Sequence, residues 1–188
     1  MLAFFNQFNW IDILVFIIFL RIFYVSLKTG LPAEFFKILG TFSALYLSLH
    51  YYTPLTDFLS VRLGNKNPPA QIYFASFVAL SLTGYAIFIL VRLAADRLVK
   101  TEINAELSKW LGLTLGLARI LLLSSLILFI FLVSGLTYFR KSIEKSYFGT
   151  YVVRVAPSAY SWFWHNITAK FMTSEKFNKS VKSTLEVK

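Results

Sequence analysis

The chain has 188 residues, of which 57% are hydrophobic and none is cysteine, and a formal net charge of +10. Soluble domains run at about 45–50% apolar even with glycine counted; the excess here comes in blocks long enough to cross a bilayer, so the chain reads as an integral membrane protein with no sizeable soluble domain. Zero cysteines exclude disulfides, thiolate metal sites and a cysteine nucleophile, and positive charge collected at the ends of the apolar blocks and in the tail suits an anionic lipid bilayer, not nucleic acid.

The opening "MLAFFNQFNW" places no Lys or Arg ahead of the first apolar run, and no small-residue cleavage site follows, so the first span is expected to stay in the membrane. Spans are predicted at about 10–27, 33–52, 71–93 and 112–137, each near the ~20 residues that cross ~30 Å of hydrocarbon. Backbone groups in lipid must be satisfied within the segment, so all are helices. "GNKNPP" separates the second from the third. Between the third and fourth, Val99, Ile103, Leu107, Trp110 and Leu111 share one side of a helix, predicting an interfacial helix over about 98–111 with Thr101 as its N-cap.

After this four-helix transmembrane domain (1–138), residues 139–171 read as an amphipathic interfacial region. Its stripe of Tyr160, Phe163, Trp164, Ile167 and Phe171, like Trp110, suits the headgroup layer. Residues 172–188 are lysine- and serine-rich and expected to be a flexible basic tail. The fold class is thus all-α: a polytopic membrane protein of four transmembrane helices plus amphipathic interfacial helices. Lys28, Lys37, Arg92, Arg97, Lys100 and Lys109 cluster at the first and third links, which places both termini away from the cytoplasm.

Arg21 lies inside the first span. An arginine at a helix centre costs about 2.5–3.5 kcal/mol on insertion scales, against roughly −0.3 to −0.6 kcal/mol for each Leu, Ile, Phe or Val. Ile11 to Leu27 holds thirteen of those four residues, so the helix inserts regardless. Two readings of the side chain stay open: it snorkels toward headgroups beside Lys28, or it is buried against a partner or in a water-lined cavity. Asp12 lies on roughly the opposite face and is no partner. Glu34 is better placed, because a turn at Gly30 and Pro32 returns the second span beside the first. In "SKWLGLTLGLARILL", Gly112 and Gly116 form GxxxG with Arg119 on nearly the same stripe. Small residues so spaced let helices approach closely, within the bundle or between subunits, and Arg119 is a second candidate partner for Glu34.

These segments resemble the colicin V production protein family. "NWIDILVFIIF…LKTGLPAEFFKILG" is similar to its Trp-Ile-Asp-type opening and basic-Gly-x-x-x-Glu link, here Trp10-Ile11-Asp12, Gly30 and Glu34. "SKWLGLTLGLAR" is similar to a later family segment, matched at Lys109, Leu111, Gly112, Gly116 and Arg119. Thr29, Ser108 and Ile120 depart from the arginine, aspartate and glycine frequent in the family. Arg21 is no part of the pattern. The resemblance spans about residues 9–165 and implies a bacterial inner-membrane protein associated with toxin production or export and with envelope homeostasis, working with export or envelope partner proteins.

Four helices make a poor pore by themselves, so channel-like activity would require a homo-oligomer through the Gly112/Gly116 face. The alternative is a non-transporting structural or lipid-binding scaffold. His50 and His165 form no metal motif, and no Ser/His or paired-carboxylate constellation is visible, so neither an enzyme nor a cofactor is expected.

Overall fold

The computed structural model describes residues 9–64, 68–98, 105–172 and 175–186. Among them, all regular structure is helical: α1 (Trp10–Lys28), α2 (Leu31–Arg62), α3 (Ala70–Leu98), α4 (Ala105–Val133), α5 (Thr137–Lys145), α6 (Gly149–Val152), α7 (Val155–Phe163), a π turn (Trp164–Thr168), α8 (Ala169–Phe171) and α9 (Ser180–Glu186).

α1 begins at Trp10 because Asn9 and Asp12 cap it reciprocally, each side chain accepting from the other's backbone N–H. It ends at Thr29, whose N–H closes on the Val25 carbonyl at 3.0 Å. Pro32 then sits in the first turn of α2, where its missing N–H costs nothing. α4 starts at Ala105 and runs unbroken to Val133, so Leu107, Trp110 and Leu111 belong to its first turns and not to a separate interfacial helix. The rest of that expected helix, 99–104, lies outside the described residues. α4 stops short of the predicted 137 because Gly135 turns the chain with φ +71°, a conformation glycine adopts without strain.

Among the described residues, three helices are long and apolar enough to cross a membrane: Trp10–Lys28, Ala70–Val91 and Glu106–Val133. The second predicted span is not among them. It forms part of α2, which is long enough at 32 residues but carries Glu34, Lys37, His50 and a series of serines and threonines. The physical reason is position. α2 is the middle helix, packed along α3 on one side and α4 on the other, while α1 packs on α4. Its hydroxyls satisfy themselves on the preceding turn: Thr41 donates to Lys37 O, Thr56 to Tyr52 O and Ser60 to Thr56 O. A helix that faces protein rather than lipid needs fewer apolar residues.

The close backbone crossing of α2 and α3 has no counterpart among the motifs of the sequence. A Cβ on Gly84 of α3 would lie 2.7 Å from the Ala44 Cα of α2, and one on Gly40 would lie 3.0 Å from the Phe88 Cβ. Small residues here let the two backbones meet. Below this crossing Leu45, Leu49, Phe77, Leu128 and Phe129 are fully buried and fill the bundle axis. Phe16, Ile17 and Leu20 of α1 and Ile87, Ile89 and Leu90 of α3 point outward and are exposed, an apolar surface suited to lipid.

The C-terminal region is part of the packed structure. Ser125 of α4 donates to Val153 O and accepts from Ala156 N, stitching α7 to the bundle. Tyr160 is fully buried and Trp164 nearly so, and Phe163 packs edge-on against Phe42 with centroids 4.7 Å apart. These three are therefore packed against protein, in place of the expected headgroup layer. Trp110 and Phe171 do stay outside, at 69% and 82% exposure. The π turn adds a residue to one helical turn and so rotates Phe171 off the stripe that holds Tyr160 and Trp164.

Residues 175–186, expected to be flexible, dock on α2 instead. Pro54 sits inside α2 without an N–H, which leaves the His50 carbonyl one turn back without its helical donor. Asn178 supplies the replacement: its Nδ2 donates to Leu49 O at 2.9 Å and to His50 O at 3.2 Å. The His50 ring joins the same contact, bonded through Nδ1 to Tyr160 Oη at 2.8 Å and through Nε2 to Glu175 Oε2 at 2.9 Å. Burial pushes the Tyr160 phenol above its ordinary pKa. It is therefore neutral and able to donate or accept at Nδ1, and it also accepts from Asn178 N at 3.2 Å. Asn178→Ala should cost about 1–3 kcal/mol, from the orphaned carbonyls, and release this segment. Amide hydrogen exchange would show faster exchange confined to 175–186; unchanged exchange there would mean that Phe177 and Val181 hold the segment without it.

Candidate functional site

The short link Thr29–Gly30 brings the C-terminus of α1, the N-terminus of α2 and the first half of α4 to one end of the bundle. Glycine is required where they meet. A Cβ on Gly30 would lie 2.7 Å from the Ser108 Oγ, and one on Gly112 would lie 3.2 Å from the backbone of residues 29–31. One turn on, a Cβ on Gly116 would lie 2.5 Å from the Ser26 Cβ and 3.7 Å from Glu34 Oε2. The GxxxG face is thus filled from within the chain by α1 and the link. Any assembly between copies must use another surface.

Glu34 stands under this crossing and is fully buried. Its Oε1 accepts from Thr29 Oγ1 at 2.6 Å and from Lys37 Nζ at 2.7 Å. Its Oε2 lies 3.1 Å from Arg119 Nη2, an ion pair by distance that lacks the alignment of a hydrogen bond. Lys37 Nζ also reaches Thr29 Oγ1 at 3.2 Å. The arrangement follows from helix geometry: Lys37 is one turn along α2 from Glu34, and Arg119 is one turn beyond Gly116 on α4. Thr29 and Ser108, which depart from the family pattern, are both employed here, since Ser108 Oγ accepts from Leu31 N at 2.9 Å. Of the two partners considered for Glu34, the structure selects Arg119, and it adds Lys37, which the sequence reading had counted only as a flanking charge.

Arg21 is outside this network. Its side chain is exposed on α1 and makes no ion pair or hydrogen bond among the described residues. It faces a crevice together with Lys37 and Arg119.

Asp12 works at the opposite end of the bundle. It is buried, its Oδ1 accepting from Ser146 Oγ at 2.6 Å and Phe148 N at 2.9 Å and its Oδ2 from Asn9 N at 3.0 Å. Trp10 Nε1 donates to Ser142 Oγ and Asn9 Nδ2 to Ser142 O. The Asn9–Asp12 segment therefore clamps residues 142–148 to the start of α1. Its sequence signal was the carboxylate at the N3 capping position; the long-range partners, some 130 residues away, had no signal at all.

The predicted candidates thus fall into two groups. Gly30, Glu34, Gly112, Gly116 and Arg119 converge at the link end, and Asp12 anchors the C-terminal region at the other. The family described as "Colicin V production protein" matches residues 11–157 of the chain. No curated protein matches, and no solved structure does. The match covers more than half of the chain and includes both groups of residues. The chain belongs to the colicin V production protein family and, with its apolar helices, is a membrane protein of that family.

Proposed function

We propose that this member of the colicin V production family is a non-enzymatic, multi-pass protein of the bacterial inner membrane that supports toxin production or export and envelope homeostasis. It does so as an accessory to export or envelope partner proteins. The observation that carries the reading is the convergence of Gly30, Glu34, Gly112, Gly116 and Arg119 on one buried ion pair. A charge network of this expense inside a membrane bundle is a functional feature by default. In this reading α2 crosses as a fourth, protein-shielded span. Both termini then lie on one side, away from the cytoplasm, as the Lys and Arg distribution suggests.

The test is complementation of a host lacking its own family member, read as secreted colicin V activity. Glu34→Gln keeps the shape of the side chain and removes its charge. It is expected to reduce secretion at least tenfold, with the variant still recovered in the membrane fraction. Wild-type secretion would make the ion pair dispensable and overturn the reading.

A non-transporting role is favoured over a single-chain channel by the filled axis: Leu45, Leu49, Phe77 and Phe129 leave no path through the bundle. Purified protein in liposomes is expected to give no ion flux above empty vesicles. Saturable flux would restore the channel-like reading, through an oligomer built on the outward faces of α1 and α3.

A further inference from the structure

The row of helices leaves a lateral crevice. α1 and α3 form its walls, and α2 and α4 its floor. The volume is about 540 Å³, within the range of ~300–1,000 Å³ typical of ligand sites. Its two ends differ in chemistry. Arg21, Lys37 and Arg119 line one end, while Leu82, Leu126 and Ile130 line the rest. Arg21 is about 10 Å along α1 from Lys28, so the basic end lies below the link and within reach of headgroup phosphates.

The charges do not balance. Glu34 neutralises one cation from behind, and no carboxylate lines the crevice among the described residues, so positive charge remains in excess. Arg119 is only 6% exposed, yet its Nε has no hydrogen-bond partner. A buried guanidinium on the lining beside an unpaired Arg21 suits an anionic group with several oxygens. The mostly apolar remainder fits hydrocarbon.

We propose that this crevice seats one anionic glycerophospholipid from the surrounding bilayer, its phosphate among Arg21, Lys37 and Arg119 and an acyl chain along α4. The lipid gives Arg21 its counter-charge and Arg119 a second anionic neighbour, and the crevice opens sideways so that the molecule enters from the membrane. The proposal does not depend on the toxin-export role.

The full chain, purified in mild detergent, would be titrated with phosphatidylglycerol, with phosphatidylcholine and separately with inorganic phosphate, and bound species counted by native mass spectrometry. One phosphatidylglycerol per chain is expected, preferred at least fivefold over phosphatidylcholine. Arg21→Gln, which disturbs no contact of the fold, is expected to lower that affinity about fivefold, the weight of one basic residue near an anionic headgroup. Leu82→Trp, an exposed position on the wall, should block binding sterically without touching the charges. Equal binding of both lipids, no effect of either variant, or displacement of lipid by inorganic phosphate alone would each overturn the proposal.

Discussion

Gly116→Leu is expected to destabilise the folded bundle strongly, not merely to change its assembly. A Cβ at this position already lies 2.5 Å from the Ser26 Cβ, and a leucine adds three further carbons beside the buried carboxylate of Glu34. Overpacking a well-filled interior typically costs about 1–3 kcal/mol. Here the neighbours are the short Ser26 side chain, whose Cβ is fixed to its helix, and the tied carboxylate of Glu34, so the upper end or beyond is expected, against a total stability on the order of 5–15 kcal/mol. The measurement is a thermal-unfolding midpoint in detergent, with Leu117→Ala as control, because Leu117 is the next residue but faces outward. A large drop confined to Gly116→Leu is the expected pattern. Equal midpoints for wild type and Gly116→Leu would mean that α1 and α4 are not in contact there. The position is tempting as an oligomerisation probe, and the structure shows why it is unsuitable: loss of an oligomer in this variant would follow from damage within the chain's own bundle.

The second large effect concerns the ion pair, and its signature is an asymmetry between partners. Glu34→Leu removes the shared acceptor and leaves Arg119 buried without a counter-ion. Breaking a buried pair in this way costs about 3–5 kcal/mol. Arg119→Leu should cost less, ~1–2 kcal/mol, because Glu34 keeps its bonds to Lys37 and Thr29. Replacing both, as Glu34→Leu with Arg119→Leu, should recover most of the loss, since an apolar pair of similar volume is often neutral with respect to a buried ion pair. Lys37, partly exposed on α2, can then turn its ammonium toward headgroups. The four thermal midpoints make a double-mutant cycle. Strict additivity, with the double variant as unstable as the sum of the singles, would show that Glu34 and Arg119 do not interact across the helices.

These two sites were legible in the sequence to different degrees. Gly116 was visible as half of a GxxxG, and Glu34 and Arg119 as charges near the ends of apolar segments. What covers the glycines was not visible, because a small-residue stripe serves a neighbouring helix and a second subunit equally well. The same ambiguity misplaced Tyr160 and Trp164. An aromatic stripe at helical spacing fits the headgroup layer or a protein interior, and only the packing of α7 on α2 and α4 decides for the interior. Pro54 was a usable signal that went unread: a proline inside a long helix frees a carbonyl, and a buried free carbonyl needs a donor from elsewhere. That the donor is Asn178, far along the chain, could not be read from either residue alone.

By itself the sequence determined what depends on neighbours a few residues apart. It set the all-helical class, the start of α1 at its capping residues, the turn at Gly30 and Pro32, and the apolar stretches of α1, α3 and α4. Tertiary structure decided what depends on which surface meets which. It made α2 a central helix whose polar face is shielded by α3 and α4, chose Arg119 over Arg21 for Glu34, folded residues 175–186 back onto α2, and opened a basic-ended crevice between α1 and α3. The physical reason is the range of the forces. Backbone hydrogen bonds and capping act over one turn of helix and are written in local residue order, whereas burial and ion pairing act between segments that only the folded chain brings together.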